Sequence, residues 1–311
     1  MNSSTIRSKI SKVSATSALA LLLITSACTA PGHLPAAHVA SSPVNETQPA
    51  LNQTSIKVLS LNVAHSRSMG AHQILQDGDE ARANLDAIVT MLKRENPDLV
   101  ALQEVDGPSF WSGGFDHVAY LAQESGFTAT VRGTHMKTPG LDYGTAIMAQ
   151  HPMDDAVSIG FGGALSVVRK GFVISQMQWP GRLDFDIDVV SVHLDPLRQG
   201  VRDQQAAELA AIIEERGRPV IVMGDFNDDW NDEDSAARLL ADTLGLSTHG
   251  ARCEECHTHR RMKNFVDWIL VSPELSIDSF EILGDDISDH YAIAATLRLS
   301  DFDTDRGAAA H

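Results

Sequence analysis

Apolar and polar positions along this chain fall into short blocks whose period switches between two and about 3.6. Ile56 to Val63 (IKVLSLNV) alternates, with extra apolar positions, and predicts a largely buried strand. Ala81, Leu85, Ile88 and Leu92 recur at helical spacing; Asp79 can cap that helix and Pro97 closes it. Leu99 to Val105 (LVALQEV) predicts a second buried strand, and Asp116 to Ser125 a helix that Gly126 ends. Strands are predicted at Phe127–Arg132, Tyr143–Ala149, Phe172–Trp179 and Asp184–Leu194. Val201 to Glu215 is an amphipathic helix through Leu209, Ile212 and Ile213, punctuated by Gly217 and Pro219. Strand Val220–Met223, helix Asp234–Leu244, and strands Phe265–Val271 and Tyr291–Leu297 complete the set. Strands outnumber helices. Some alternate with helices and others follow one another as hairpins, which predicts two packed sheets with helices outside.

The two ends lie outside this pattern. Arg7, Lys9 and Lys12 precede an apolar run from Val13 to Ile24, and Thr25, Ser26 and Ala27 lead to Cys28. A basic start, a short apolar run and small residues describe a secretory signal. The run is shorter than the roughly 20 residues of a usual membrane-spanning helix. Ser26-Ala27-Cys28 resembles a bacterial lipobox, so residues 1–27 are expected to be a lipoprotein-type signal peptide and Cys28 the lipidated N-terminus. A plain cleaved signal and an uncleaved anchor are the alternatives. Thr29, not Asp, follows Cys28, which resembles outer-membrane sorting in a Gram-negative cell. The expected place is the bacterial envelope, outer membrane or cell surface, and otherwise the periplasm or the medium. Residues 28–54 carry Pro31, Pro35, Pro43 and Pro49 among small polar residues and read as a disordered linker. Residues 301–311 read as a flexible tail. No break inside 55–300 resembles a linker, so one domain is expected; a monomer is a separate expectation.

Charge narrows the partners. Lys and Arg total 24 against 41 Asp and Glu, a net charge of −17, among 311 residues of which 43 % are hydrophobic. Those proportions exclude disorder over the whole length. The acidity removes the basic footprint of most nucleic-acid binders. It does not exclude a phosphate substrate, because a bound divalent cation reverses the local sign.

Polar residues cluster where the predicted strands end. Asn62 closes the first, and Glu104 lies inside LQEVD. His193 ends VVSVHLD, Asp225 and Asn227 follow VIVMG as GDFND, Asp267 lies in NFVDWILVS, and Asp289-His290 open SDHYAIAATL. Strand-end loops are where open sheets hold ligands. Each residue alone has a bland reading, as a turn residue or a paired core group. Together their chemistry is coherent. Phosphate-ester hydrolysis needs charge stabilisation on the phosphoryl oxygens and an aligned attacking water. Hard oxygen donors without Cys suit Mg²⁺, and also Mn²⁺ or Ca²⁺. Glu104 and Asp289 could hold the cation with Asn62 nearby, and Asp267 could fix the His290 ring and favour its charged form.

These motifs, from LSLNV at Leu59 to SDHYAIAATL at Leu297, resemble the endonuclease/exonuclease/phosphatase superfamily. GDFN with a downstream SDH carries most of the resemblance; LNV and LQE support it, and YGTAI adds little. The resemblance implies an α/β fold, a four-layer α/β/β/α sandwich with two central mixed sheets. It implies a divalent-metal phosphoesterase acting on nucleic acid, a phospholipid head group or a small phosphate ester. Residue by residue, Glu104 would be the principal metal ligand and Asp289 a second. Asn62 would bind metal-shell water or phosphate, and His193 would contact the scissile phosphate. Asp225, supported by Asn227, would orient or deprotonate the water, and Asp267 would pair with His290, which stabilises the phosphoryl oxygens. Ala64 stands where many members have Asp, and Phe265 where many have Arg or Lys. The first argues against a rich second-metal site, and the second removes a possible substrate contact.

Cys253-Glu254-Glu255-Cys256-His257, with His259 close by, forms a separate feature. A local Cys253–Cys256 disulfide suits an oxidising compartment. The same letters fit zinc or c-type haem attachment, which would make the chain a haem- or metal-binding surface lipoprotein instead. The acidic run Asp228–Asp234 beside GDFN leans against long polyanions, and Phe110-Trp111 is a candidate short membrane-docking element.

Overall fold

The computed structural model describes residues 32–35, 38–41, 53–70, 77–162, 169–182, 184–249 and 256–300. The expected signal peptide, Cys28, Cys253 and the C-terminal tail lie outside these residues. In chain order the strands are β1 (Gly32–Pro35), β2 (His38–Ser41), β3 (Ser55–Asn62), β4 (Leu99–Asp106), β5 (Ala129–Thr138), β6 (Leu141–Ala149) and β7 (Met153–Gly160). Then come β8 (Gly171–Gln178), β9 (Asp186–His193), β10 (Val220–Asp225), β11 (Ser247–Thr248), β12 (Asp267–Val271), β13 (Leu275–Leu283) and β14 (Ala292–Leu299). The helices are α1 (Gly78–Glu95), α2 (His117–Ser125), α3 (Gln199–Arg216) and α4 (Ala236–Leu244).

The strands form two seven-stranded sheets, ordered β13-β14-β3-β4-β6-β5-β2 and β1-β7-β8-β9-β10-β12-β11. Each sheet is mixed: β3 and β4 are parallel around α1, β9 and β10 are parallel around α3, and the other pairings are antiparallel. Leu85, Ile88, Val118 and Leu121 of α1 and α2 pack on Leu59, Leu61, Val100 and Leu102. Leu209, Ile213 and Leu240 of α3 and α4 pack on Val190, Val192, Val222 and Leu270. Between the sheets lie Val58, Leu99, Ile147, Val189, Ile221, Ile269 and Ile293. Burying each such side chain contributes roughly 1.5–3 kcal/mol. The result is the four-layer α/β/β/α sandwich.

Five strands depart from expectation, among them the two-residue β11 on β12. β1 and β2, inside the stretch expected to be a disordered linker, pair with β7 and β5 at the sheet edges. Edge pairing uses backbone groups and tolerates a proline, so a Pro-containing polar segment can supply it. β7 and β13 were not anticipated. Both carry register shifts, near Asp155 and Asp278, that break the period of two. The cap of α1 also moves: Asp77, not Asp79, accepts from the amides of Asp79 and Glu80, at 3.0 and 2.9 Å. Asp79 sits inside the first turn, where its charge still favours the helix N-terminus.

His135 gives the fold an acid sensitivity. Burial first, then Lys170 and Arg132, push its pKa down to about 3. An unfolded histidine titrates near about 6.5. The folded state therefore binds fewer protons, and this stabilisation, complete above pH 6.5, is lost as pH falls toward 3. Urea unfolding at several pH values between 6 and 4 should show a slope for His135→Gln that is smaller than wild type by about 1.4 kcal/mol per pH unit. Equal slopes would refute this assignment.

Candidate active site

The apolar layer between the sheets turns polar at one end. Asn62 lies on the inward face of β3, in phase with Ile56 and Val58. Asp225 is in register with His193 on one side and Asp267 on the other, so three adjacent strands present one row. All three point inward, in phase with Val189, Met223 and Ile269. A β-carbon at Gly224 would stand 2.0 Å from the Val192 carbonyl oxygen. Only glycine lets β10 approach β9 this closely just before Asp225.

Glu104 reaches the site through a bulge. The β4–β6 register shifts between Leu102 and Val105, and Glu104 has φ 49°. The extra residue returns Val105 to the helix-side core and re-aims Glu104. Asn227 likewise takes φ 50°, its amide N–H donating to Asp225 Oδ1 at 2.9 Å and its side chain to the Leu194 carbonyl at 3.1 Å.

One hydrogen-bonded cluster results. Asn62 Nδ2 donates to Asp225 Oδ2 at 2.8 Å, and its Oδ1 accepts from the Ala64 amide at 3.0 Å. Asn62, expected at the metal, thus makes its contacts with Asp225 and the turn. His193 Nε2 and His290 Nε2 lie 3.4 and 3.7 Å from Asp225 Oδ2. His290 Nδ1 donates to Asp267 Oδ2 at 2.8 Å. Burial lowers the His290 pKa, but Asp267 and Asp225 outweigh it and raise it to about 10, so the ring is an imidazolium at neutral pH. His193 behaves oppositely: burial, then Lys170, push it down to about 3. Lys170 Nζ lies 3.2 Å from His193 Nδ1 and donates to it, which leaves the His193 proton on Nε2, toward Asp225.

Glu104 and Asp289 form the other half. Lys170 Nζ is 3.1 Å from Glu104 Oε1, and His65 Nε2 and Arg67 Nη1 are each 3.6 Å from Oε2. Arg67 Nη2 also donates to Asp289 Oδ2. Burial would raise the Glu104 carboxyl, but Lys170, His65, His193 and Arg67 hold it well below the usual carboxylate range. His65 Nδ1 in turn donates to Asp106 Oδ1 at 2.7 Å, and Trp111 Nε1 donates to Asp106 Oδ2 at 2.7 Å. Trp111 therefore lies against the site, while Phe110 is 67 % exposed.

Asn62, His193, Asp225, Asp267 and His290 share one cluster, Lys170 links it to Glu104, and Arg67 links Glu104 to Asp289. Two carboxylates share one guanidinium, and their hard oxygens fit Mg²⁺, Mn²⁺ or Ca²⁺. Asp225, Asp267 and His290 also bring ligand atoms within 4.8 Å of one another. That trio is the poorer cation site, because His290 is already bonded to Asp267 and carries positive charge. No role was legible in the sequence for His65, Arg67, Asp106 or Lys170. Their signal was polar residues flanking the strand ends of Asn62, Glu104 and β8. His259, from the cysteine segment, packs 4.7 Å from the His290 ring. Cys256 is disulfide-bonded, and so is not free for a haem thioether or a zinc thiolate.

This sandwich carries its polar row at the carboxyl ends of both parallel strand pairs. Residues 59–290 match the Endonuclease/Exonuclease/phosphatase family, and the chain belongs to that family. Solved structures agree in fold. An endonuclease/exonuclease/phosphatase from Bacteroides vulgatus superposes with TM-score 0.62 at 17 % identity, covering 80 % of this chain and 100 % of that one. The human Nocturnin catalytic domain with bound sulfate gives 0.60 at 17 % identity, covering 80 % and 96 %. A mannosyl-6-phosphatase of Bacteroides thetaiotaomicron gives 0.57 at 16 % identity, covering 78 % and 99 %. No match was found among curated protein sequences.

Proposed function

We propose that this chain is a divalent-metal-dependent hydrolase of phosphate esters, acting by in-line attack of water. The observation that carries this reading is the meeting of Asn62, His193, Asp225, Asp267 and His290 in one cluster whose neighbours Glu104 and Asp289 supply hard oxygens. A cation held by Glu104 and Asp289 would supply positive charge for the phosphoryl oxygens. Asp225, oriented by Asn62 and Asn227, accepts a proton from the water. His290, held charged by Asp267, donates Nε2–H to a phosphoryl oxygen, and neutral His193 offers a second N–H. The oxygen–phosphorus bond to the leaving group breaks as the water oxygen bonds to phosphorus, and the departing alkoxide takes a proton from solvent. Mg²⁺ is the cation favoured, with Mn²⁺ or Ca²⁺ as alternatives.

The test is hydrolysis of p-nitrophenyl phosphate, bis-p-nitrophenyl phosphate, a phospholipid and DNA, with Mg²⁺ or with chelator. Chelator-sensitive release from at least one supports the reading, and release that chelator leaves unchanged overturns it. The panel also ranks nucleic acid, lipid head group and small ester as substrates. We further propose that Cys28 is lipidated and holds the enzyme, as a monomer, at the bacterial envelope. The support is the basic, apolar and small-residue order before it. Cys28→Ala should move the protein from the membrane to the soluble fraction.

A further inference from the structure

We propose that Arg67 is a phosphate ligand held in reserve: its guanidinium bridges Glu104 and Asp289 until a divalent cation takes those carboxylates, and then turns to the phosphoryl oxygens. This deepens the function proposed above and rests on it. Arg67 belongs to none of the motifs that identify the family in this chain.

Three observations support the exchange. First, one guanidinium serves both carboxylates, with Nη1 3.6 Å from Glu104 Oε2 and Nη2 donating to Asp289 Oδ2. A cation that takes those oxygens must displace it, so the two compete. Second, the backbone beneath it is anchored while its side chain is lightly held. Asn84 Nδ2 donates to the Ser66 carbonyl at 2.8 Å, and Arg261 Nη2 donates to the Met69 carbonyl at 2.6 Å. Among the described residues, the guanidinium donates, apart from the two carboxylates, only to the Ala64 carbonyl, at 3.4 Å. Third, Ala64, His65, Ser66 and Ser68 all have positive φ, between 50° and 60°. Non-glycine residues hold such backbone where a side chain must be aimed.

The chemistry favours a change of partner over expulsion to solvent. A guanidinium fork matches the oxygens of a phosphate as it matches those of a carboxylate. A cation that releases Arg67 makes it available to phosphate, and phosphate that captures Arg67 vacates the carboxylates for the cation. Binding of the two is therefore cooperative, and the coupling is reciprocal.

Mn²⁺ binding, followed by electron paramagnetic resonance with and without inorganic phosphate, tests this on the full chain and on Arg67→Met and Arg67→Gln. Without phosphate, both variants should bind Mn²⁺ at least about 5-fold tighter than wild type. Phosphate should tighten Mn²⁺ binding to wild type by at least about 5-fold more than it tightens binding to either variant. A misfolded variant would lose Mn²⁺ affinity, so a gain cannot come from that source. Unchanged or weaker Mn²⁺ binding, or undiminished coupling, overturns the proposal. If wild type shows Arg67-dependent coupling but hydrolyses no phosphate ester, the proposed function fails and this inference stands. Hydrolysis without coupling gives the reverse.

Discussion

Asp225→Asn lowers kcat for phosphate-ester hydrolysis by about 10³-fold or more while the protein keeps its fold. The residue is 1 % exposed and sits at the centre of the cluster. The substitution keeps its volume and one oxygen, which can still accept from Asn62 or Asn227. It removes the charge and the capacity to accept a proton from water. The same charge raises the His290 pKa, so the variant also weakens the second catalytic group. Steady-state kinetics on the best substrate, with circular dichroism as the fold control, checks the result. Activity within tenfold of wild type would exclude Asp225 from proton transfer and return the cluster to a structural role.

Asp267→Asn should cost about 10²–10³-fold in kcat and also move the pH profile. Asp267 is the leading cause that holds His290 charged against its burial. With a folded pKa of about 10, the imidazolium persists through pH 8–9. Removal of the carboxylate brings the pKa down, and the alkaline limb of the activity profile moves toward neutrality. Stability shifts with it. In wild type the folded pKa exceeds the unfolded one, so the pair stabilises fully below about pH 6.5 and fades as pH climbs to 10. The variant loses that contribution, so its stability deficit is largest below pH 6.5. Nuclear magnetic resonance titration of the His290 ring reads the pKa directly. An unchanged pKa in the variant would show that Asp267 does not control His290.

The strands and helices that line the core were legible because their burial is one-sided or complete. Leu85, Ile88 and Leu92 mark α1 in sequence because one helix face meets one sheet. β10 and β12 read as apolar runs because both faces are covered. β7 and β13 were hidden because bulges at acidic residues interrupt their alternation. β1 and β2 were hidden because edge pairing draws on the backbone and leaves little trace in side-chain type. The cap of α1 was misplaced by two residues because two aspartates compete in DGDE, and only the backbone decides between them.

What the sequence determined by itself was the fold class, the family and the identities of the row Asn62, His193, Asp225, Asp267 and His290. Those residues recur as motifs beside strands whose hydrophobic period is plain. The tertiary structure decided which partners each of them has. Lys170 reaches Glu104 and His193 from β8's approach, and Arg67, which also meets Glu104, reaches Asp289 across 222 residues of chain. A surface lysine and a buried counter-charge are the same letter in a sequence. Only packing, by taking water away from one of them, turns the charge into a strong local interaction.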